Sequence, residues 1–212
     1  MNWQDIARRN SSSDDLITTD LVVLHGLVDH RLEIFVLRFT DLRLVVAQIV
    51  NILDRSFAGD AAFGDAMRNL CAAGWDQAIA EGIAAGKPFL GICVGLQLMF
   101  GQSEELGHHR GLGILPGQCV RFPRTERVPQ IGWNQIAIKR EVPLLTGVPE
   151  GSFFYFVHSY YVKTENEDDC IATTDYGFDY TSIAGSGRVF GVQFHPEKSQ
   201  AHGLRLLDNF AR

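Results

Sequence analysis

Five consecutive residues, Gly91-Ile92-Cys93-Val94-Gly95, place a thiol where a nucleophile would be built. The apolar run from Pro88 to Ile92 predicts a short buried strand, and Leu96 to Phe100 predicts the start of a helix. A cysteine on that strand–turn–helix junction has the form of a nucleophile elbow. Such a turn must be sharp, so its flanking residues are small. It sets the sulfur beside the N-terminus of the following helix, which favours the reactive thiolate. The Val94 N–H then points to where a tetrahedral oxyanion would form. The competing reading, an ordinary buried cysteine on a tight strand exit, loses ground because the predicted context fits the motif. Cys71, on the apolar face of a predicted helix, and Cys119 and Cys170, in or beside predicted strands, read as small buried hydrophobes. No C-x-x-C pair, disulfide framework or structural zinc spacing is present among the four cysteines.

A thiolate nucleophile needs an imidazole and something to hold it. Of seven histidines, His195 has the strongest setting. It follows the apolar run Arg188 to Phe194 and begins His195-Pro196-Glu197. Open α/β sheets place their sites at the carboxyl ends of strands. Pro196 restricts the backbone before it, and Glu197 is close enough to turn back and fix the ring's tautomer. The alternative is a histidine and a glutamate on a surface turn. His158 ends a second strand, Phe153 to Val157, and reads as a substrate-side residue or an alternative base. His108-His109 reads as an exposed pair rather than a metal site, and Glu104-Glu105 as a solvated helix face.

These residues need elements to position them. Met67, Leu70, Ala78, Ile79 and Ile83 recur at helical spacing from Gly64, in two pieces interrupted at Gly74 and ended by Gly86. Leu21 to Leu24, Ile34 to Leu37 and Leu44 to Val46 predict short strands, as does Cys170 to Thr174. Ala201 to Phe210 predicts a helix with Leu204, Leu207 and Phe210 on one face. The succession implies one three-layer α/β domain over 1–212, with a central, largely parallel mixed sheet. The chain has 212 residues, 46% of them apolar, enough for one substantial core and with no linker to a second. A net charge of -6 gives no support for nucleic-acid or membrane binding. There is no apolar run of membrane-spanning length and no signal-peptide pattern, so a cytoplasmic protein is expected.

The motifs resemble a known family. GICVGLQLMF (Gly91 to Phe100) is similar to the nucleophile motif of the class I, triad-type glutamine amidotransferases, and VFGVQFHPEKSQ (Val189 to Gln200) to their His-x-Glu motif. AFGDAMRNL, GLGILPGQCVRF, VPQIGWN, FYFVHSYYV and ATTDYG resemble blocks of one subfamily, the glutaminase subunits of imidazole glycerol phosphate synthases. The resemblance covers roughly residues 62 to 212. It implies Cys93 as nucleophile, His195 as general base and acid, and Glu197 as orienting carboxylate. It places Gln97, His158, Ser159 and Tyr160 near bound glutamine. It implies no metal and no organic cofactor. The implied partner is a cyclase subunit of (β/α)8-barrel type, which receives ammonia and makes imidazole glycerol phosphate and aminoimidazole carboxamide ribonucleotide in histidine biosynthesis.

Residues 1–60 depart from the family pattern. The D-Y-G-x-G-N-type turn is missing, and so is the P-G-V-G-like turn that supplies the other half of the oxyanion hole. The corresponding positions read Ser56-Phe57-Ala58-Gly59-Asp60-Ala61, and only Gly59 is suited to the role. Gln130 stands where the family pattern has His. The region reads either as a divergent folded segment or as sequence joined out of frame. Three other functions fit the same residues: a glutaminase for a different synthase, a binding subunit impaired by the altered oxyanion turn, or a cysteine hydrolase acting on peptides.

Overall fold

The computed structural model describes the chain from residue 62 onward and the backbone at 21–28 and 31–37. The predicted strand at 44–46 and the oxyanion candidate Gly59 lie outside the described residues. In chain order come β1 (Leu21–Val28), β2 (Arg31–Leu37), α1 (Ala62–Ala72), α2 (Trp75–Ala84), β3 (Phe89–Ile92), α3 (Val94–Leu98), β4 (Phe100–Ser103), β5 (His109–Arg110) and β6 (Leu115–Arg121). There follow β7 (Gln130–Gln135), β8 (Ala137–Ile138), β9 (Phe153–His158), β10 (Tyr160–Thr164), β11 (Cys170–Asp175), β12 (Asp179–Ser186), β13 (Val189–Val192) and α4 (Gln200–Phe210). The sheet is mixed, ordered β2-β1-β3-β13-β12-β10-β6-β4-β5, with β11 and β8 branching from β12. Its parallel pairs are β1–β3, β3–β13 and β4–β6. β7 and β9 form a separate antiparallel ribbon.

Two apolar layers enclose the sheet. Phe63, Leu70, Ile79, Phe89 and Leu96 form one, under α1, α2 and α3. Leu90, Ile92, Phe190, Val192 and Phe194 form the other with Leu206, Leu207 and Phe210 of α4. The alternation of Phe89 and Leu90 between the layers is the period-2 pattern of a strand buried on both faces. Each such fully buried side chain contributes about 1.5–3 kcal/mol of transfer free energy. Gly74 (φ 73°) separates α1 from α2, as the sequence suggests, because the left-handed backbone there costs glycine nothing.

Several boundaries differ from the sequence reading, each for a local reason. Helix α3 ends at Leu98, and Phe100 already belongs to β4. The carbonyls of Leu98 and Met99 accept from the N–H groups of Leu112 and Ile114, both at 2.8 Å, so the loop satisfies the helix end and no further turn is needed. β13 stops at Val192 because its neighbour β3 turns away at Cys93. Gln193 N–H then donates to Ser182 and His195 N–H to Tyr155, each at 2.9 Å. Cys71 is exposed, contrary to expectation: the buried stripe of α1 runs through Phe63, Ala66 and Leu70, and Cys71 lies off it. On α4 the buried positions are Gly203, Leu206, Leu207 and Phe210, while Leu204 is half-buried. Glu104-Glu105 is not on a helix. Glu105 is buried, and its carboxylate accepts the Phe63 N–H at 2.8 Å, capping the first turn of α1.

Candidate active site

Cys93 leaves β3 with φ 55° and ψ -110°, a conformation that costs a non-glycine residue about 1–3 kcal/mol. Surrounding contacts hold it there. The Cys93 N–H donates to Val192 at 2.7 Å, and its carbonyl accepts from Gln97 N–H at 3.2 Å. The room for the turn comes from two glycines paired across the sheet, Gly91 and Gly191. A Cβ on Gly91 would lie 2.7 Å from the Gly95 carbonyl group. One on Gly191 would meet Leu96 and come within 2.9 Å of the Met99 sulfur. Helix α3 therefore rests on a bare patch of the sheet, and this lowers Cys93 to the level of the next strand's end.

That strand end carries His195, which is fully buried. Its Nδ1 lies 2.9 Å from Glu197 Oε1, and the Cys93 sulfur is near enough to act on the ring's protonation. A carboxylate can only accept, so Nδ1 carries a proton. Burial opposes a charged ring. The sulfur of Cys93, through charge and hydrogen bond, and Glu197 through the same two routes outweigh it and raise His195 to about 10 from the ordinary 6.5. The geometry suits an imidazolium held by the Glu197 carboxylate.

The turn bearing His195 is clasped to β9. Ser199 Oγ donates to the His195 carbonyl at 2.6 Å and accepts the Tyr155 N–H at 2.9 Å. β9 then delivers the Val157 carbonyl to 3.9 Å from the Cys93 sulfur. His158 is buried among Phe122, Phe156 and Tyr180. Its Nδ1 lies 2.8 Å from the Tyr160 carbonyl and its Nε2 3.2 Å from the Tyr180 hydroxyl. Burial, with a small contribution from the charge on His195, lowers it to about 4 against the opposing Tyr160 carbonyl, so it is neutral at neutral pH. Both of its nitrogens are engaged, which suits a positioning role better than that of an alternative base. Gln97 is buried and donates to the Tyr160 carbonyl at 3.0 Å. The Ser159 carbonyl accepts from Phe122 N–H. Val94 begins α3, where helix N–H groups lack intrahelical partners.

The structure thus brings Cys93, Val94, Gln97, His158, Ser159, Tyr160, His195 and Glu197 to one end of the sheet. Sequence reasoning missed Gly191, Gln193 and Ser199. A glycine and a glutamine inside the apolar run VFGVQF were the available signals, since neither belongs in a purely structural buried strand. No group of three or more metal-ligating side chains occurs among the described residues.

The glutamine amidotransferase class-I family matches residues 64–212. The imidazole glycerol phosphate synthase subunit HisH of Aquifex aeolicus is 51% identical over 154 residues, covering 73% of this chain and 74% of that one. The HisH subunit of Syntrophotalea carbinolica is 47% identical over 180 residues, covering 82% and 86%. Among solved structures, PurLQS from Thermotoga maritima shares the fold, with a TM-score of 0.53 at 17% identity over 71% of this chain and 74% of that one. With both motif-bearing strand ends inside the matched region, the chain belongs to the class-I glutamine amidotransferase family, and its close sequence relatives are HisH subunits.

Proposed function

We propose that this protein hydrolyses glutamine through a γ-glutamyl thioester on Cys93 and passes the ammonia to a (β/α)8-barrel cyclase, which forms imidazole glycerol phosphate and aminoimidazole carboxamide ribonucleotide. The observation that carries the catalytic part is the buried line of sulfur, imidazole and carboxylate, at an elbow whose backbone is held in a strained form. The sulfur attacks the amide carbon, and the developing oxyanion takes the Val94 N–H as one donor. His195, protonated, gives its proton to the departing nitrogen. Water then cleaves the thioester with His195 as base, and Glu197 keeps the ring in one tautomer throughout. No step needs a metal or an organic cofactor. Gln97, His158, Ser159 and Tyr160 form the glutamine-binding side of the site in this reading.

The partner part rests on the outer face of the β7–β9 ribbon. Ile131 (64% exposed), Trp133 (46%) and Phe153 (51%) are three of the four large hydrophobics the described surface exposes. Trp133 stacks edge-on against Tyr155 at 6.1 Å. A clustered exposed apolar face marks an interaction surface. A groove of about 500 Å³ beside it is lined by Trp133, Phe153, Ser199 and His202. The Val157 carbonyl on the same ribbon touches the Cys93 sulfur, so ammonia released there leaves next to the docked partner. No helix among the described residues is long and apolar enough to cross a membrane, and a cytoplasmic location fits the proposed pathway. The test is glutamate production from glutamine, with and without the cyclase barrel. Glutamate formed and ammonia incorporated supports the reading. Complex formation without glutamate would leave a binding subunit instead.

A further inference from the structure

The sulfur of Cys93 has a neighbour the triad does not account for. Gln193 is fully buried, and its Nε2 lies 3.9 Å from Sγ. The register explains the meeting: Ile92 pairs with Val192 in the parallel β3–β13 ladder, so residues 93 and 193 leave their strands side by side.

The orientation of that amide follows from its partners, since amide oxygen and nitrogen are told apart by what they bond. The Tyr160 carbonyl can only accept, so Gln97 must turn its NH2 group towards it, at 3.0 Å. The same NH2 lies 3.4 Å from Gln193 Oε1. Gln193 is thereby committed to present its own NH2, not its carbonyl, to the sulfur. On another side of the sulfur stands the Val157 carbonyl, also at 3.9 Å, an acceptor that suits only the thiol. A thiolate needs donors. The described neighbours offer it two, the His195 ring and the Gln193 amide.

We propose that Gln193 is a catalytic residue that donates a side-chain N–H to the Cys93 sulfur and holds it as thiolate before attack, its direction set by Gln97 and the Tyr160 carbonyl. Gln193 takes up no proton and forms no covalent bond. The proposal rests on the glutaminase reading above.

The test uses the full chain with its cyclase and two variants. Gln193→Met keeps the length and removes the donor. Gln193→Glu replaces the donor with an acceptor. Iodoacetamide alkylation of Cys93 is followed across pH by peptide mapping, with the exposed Cys71 as internal reference. In Gln193→Met the Cys93 profile moves to higher pH, and its rate at neutral pH falls about ten-fold relative to Cys71, the size of one lost hydrogen bond to a charged group. Gln193→Glu moves it further, and in both kcat falls more than KM changes. An unaltered Cys93 profile in both variants overturns the proposal. Should neither variant fold, the unsubstituted chain decides: the Gln193 side-chain amide NMR signals shift as the sulfur ionises, and signals indifferent to that ionisation overturn it equally. If Cys93 of the unsubstituted chain is neither alkylated nor protected by glutamine, the glutaminase reading itself has failed, and the role of Gln193 falls with it.

Discussion

Gly91→Ala and Gly191→Ala make the same chemical change at two paired positions, and the structure predicts unequal consequences for catalysis. At Gly91 the new methyl would lie 2.7 Å from backbone atoms of Gly95 and 2.8 Å from the Leu96 nitrogen. Backbone in a helix cannot rotate aside. Helix α3 must withdraw by roughly 0.7 Å to restore van der Waals contact, and it carries the Val94 N–H and the Cys93 elbow with it. A displacement on the order of 1 Å at reacting groups costs about 100-fold in rate. At Gly191 the closest contacts of the methyl are side-chain atoms, Leu96 Cδ1 and the Met99 sulfur, which can shift by rotamer change, while Leu96 Cβ at 3.2 Å must give by a few tenths of an ångström. The cost there is overpacking, about 1–3 kcal/mol of stability, with the elbow left in place. Glutamine turnover with the cyclase present and the denaturant midpoint are measured for both. We expect Gly91→Ala to lose about 100-fold in kcat, and Gly191→Ala to lose stability with less than about 10-fold change in kcat. Wild-type kcat in Gly91→Ala would refute the claim that the bare Gly91 sets the height of the Cys93 elbow.

Other outcomes follow from the same geometry. The folded-state value of His195 is raised above its ordinary 6.5 to about 10, so its protonated ring adds stability that is fully present below pH 6.5 and lost as pH rises through about 10. Cys93→Ala removes two of the raising influences, so urea midpoints measured against pH begin to fall at lower pH in that variant than in the wild type. Ser199→Ala orphans the half-buried Tyr155 N–H and frees the His195 turn from β9; calorimetry should show a loss of about 1–2 kcal/mol, and turnover should fall with it. Trp133→Ala removes the largest exposed ring of the β7–β9 face; titration against the cyclase should give a Kd about 30-fold weaker, while the isolated chain keeps its melting temperature.

Much of this site was legible in the sequence. The Gly91 to Gly95 pattern and the His195-Pro196-Glu197 pattern each lie at the end of a short apolar run, and local pattern is enough to place residues at strand ends. That β3 and β13 are parallel neighbours, which brings the two motifs together, is a long-range pairing that no local signal carries. The misread residues are those whose roles depend on partners far along the chain. Glu105 looked like a surface glutamate because its partner, the Phe63 N–H, is 42 residues away. Gln193 was passed over because its meaning lies in the register with Cys93 and in the Tyr160 carbonyl. Cys71 was misassigned for a geometric reason: one residue along a helix is about 100° of rotation, enough to carry a thiol from the buried stripe of α1 to solvent.

Every step of the proposed turnover requires that glutamine acylate the Cys93 sulfur. Treating the chain with a glutamine-analogue electrophile, in the presence of the cyclase, and mapping the adduct by peptide mass spectrometry addresses that directly. We predict a single adduct on Cys93, suppressed by excess glutamine and absent from His195→Ala. Labelling of the exposed Cys71 alone, or a Cys93 adduct that glutamine does not suppress, would contradict it.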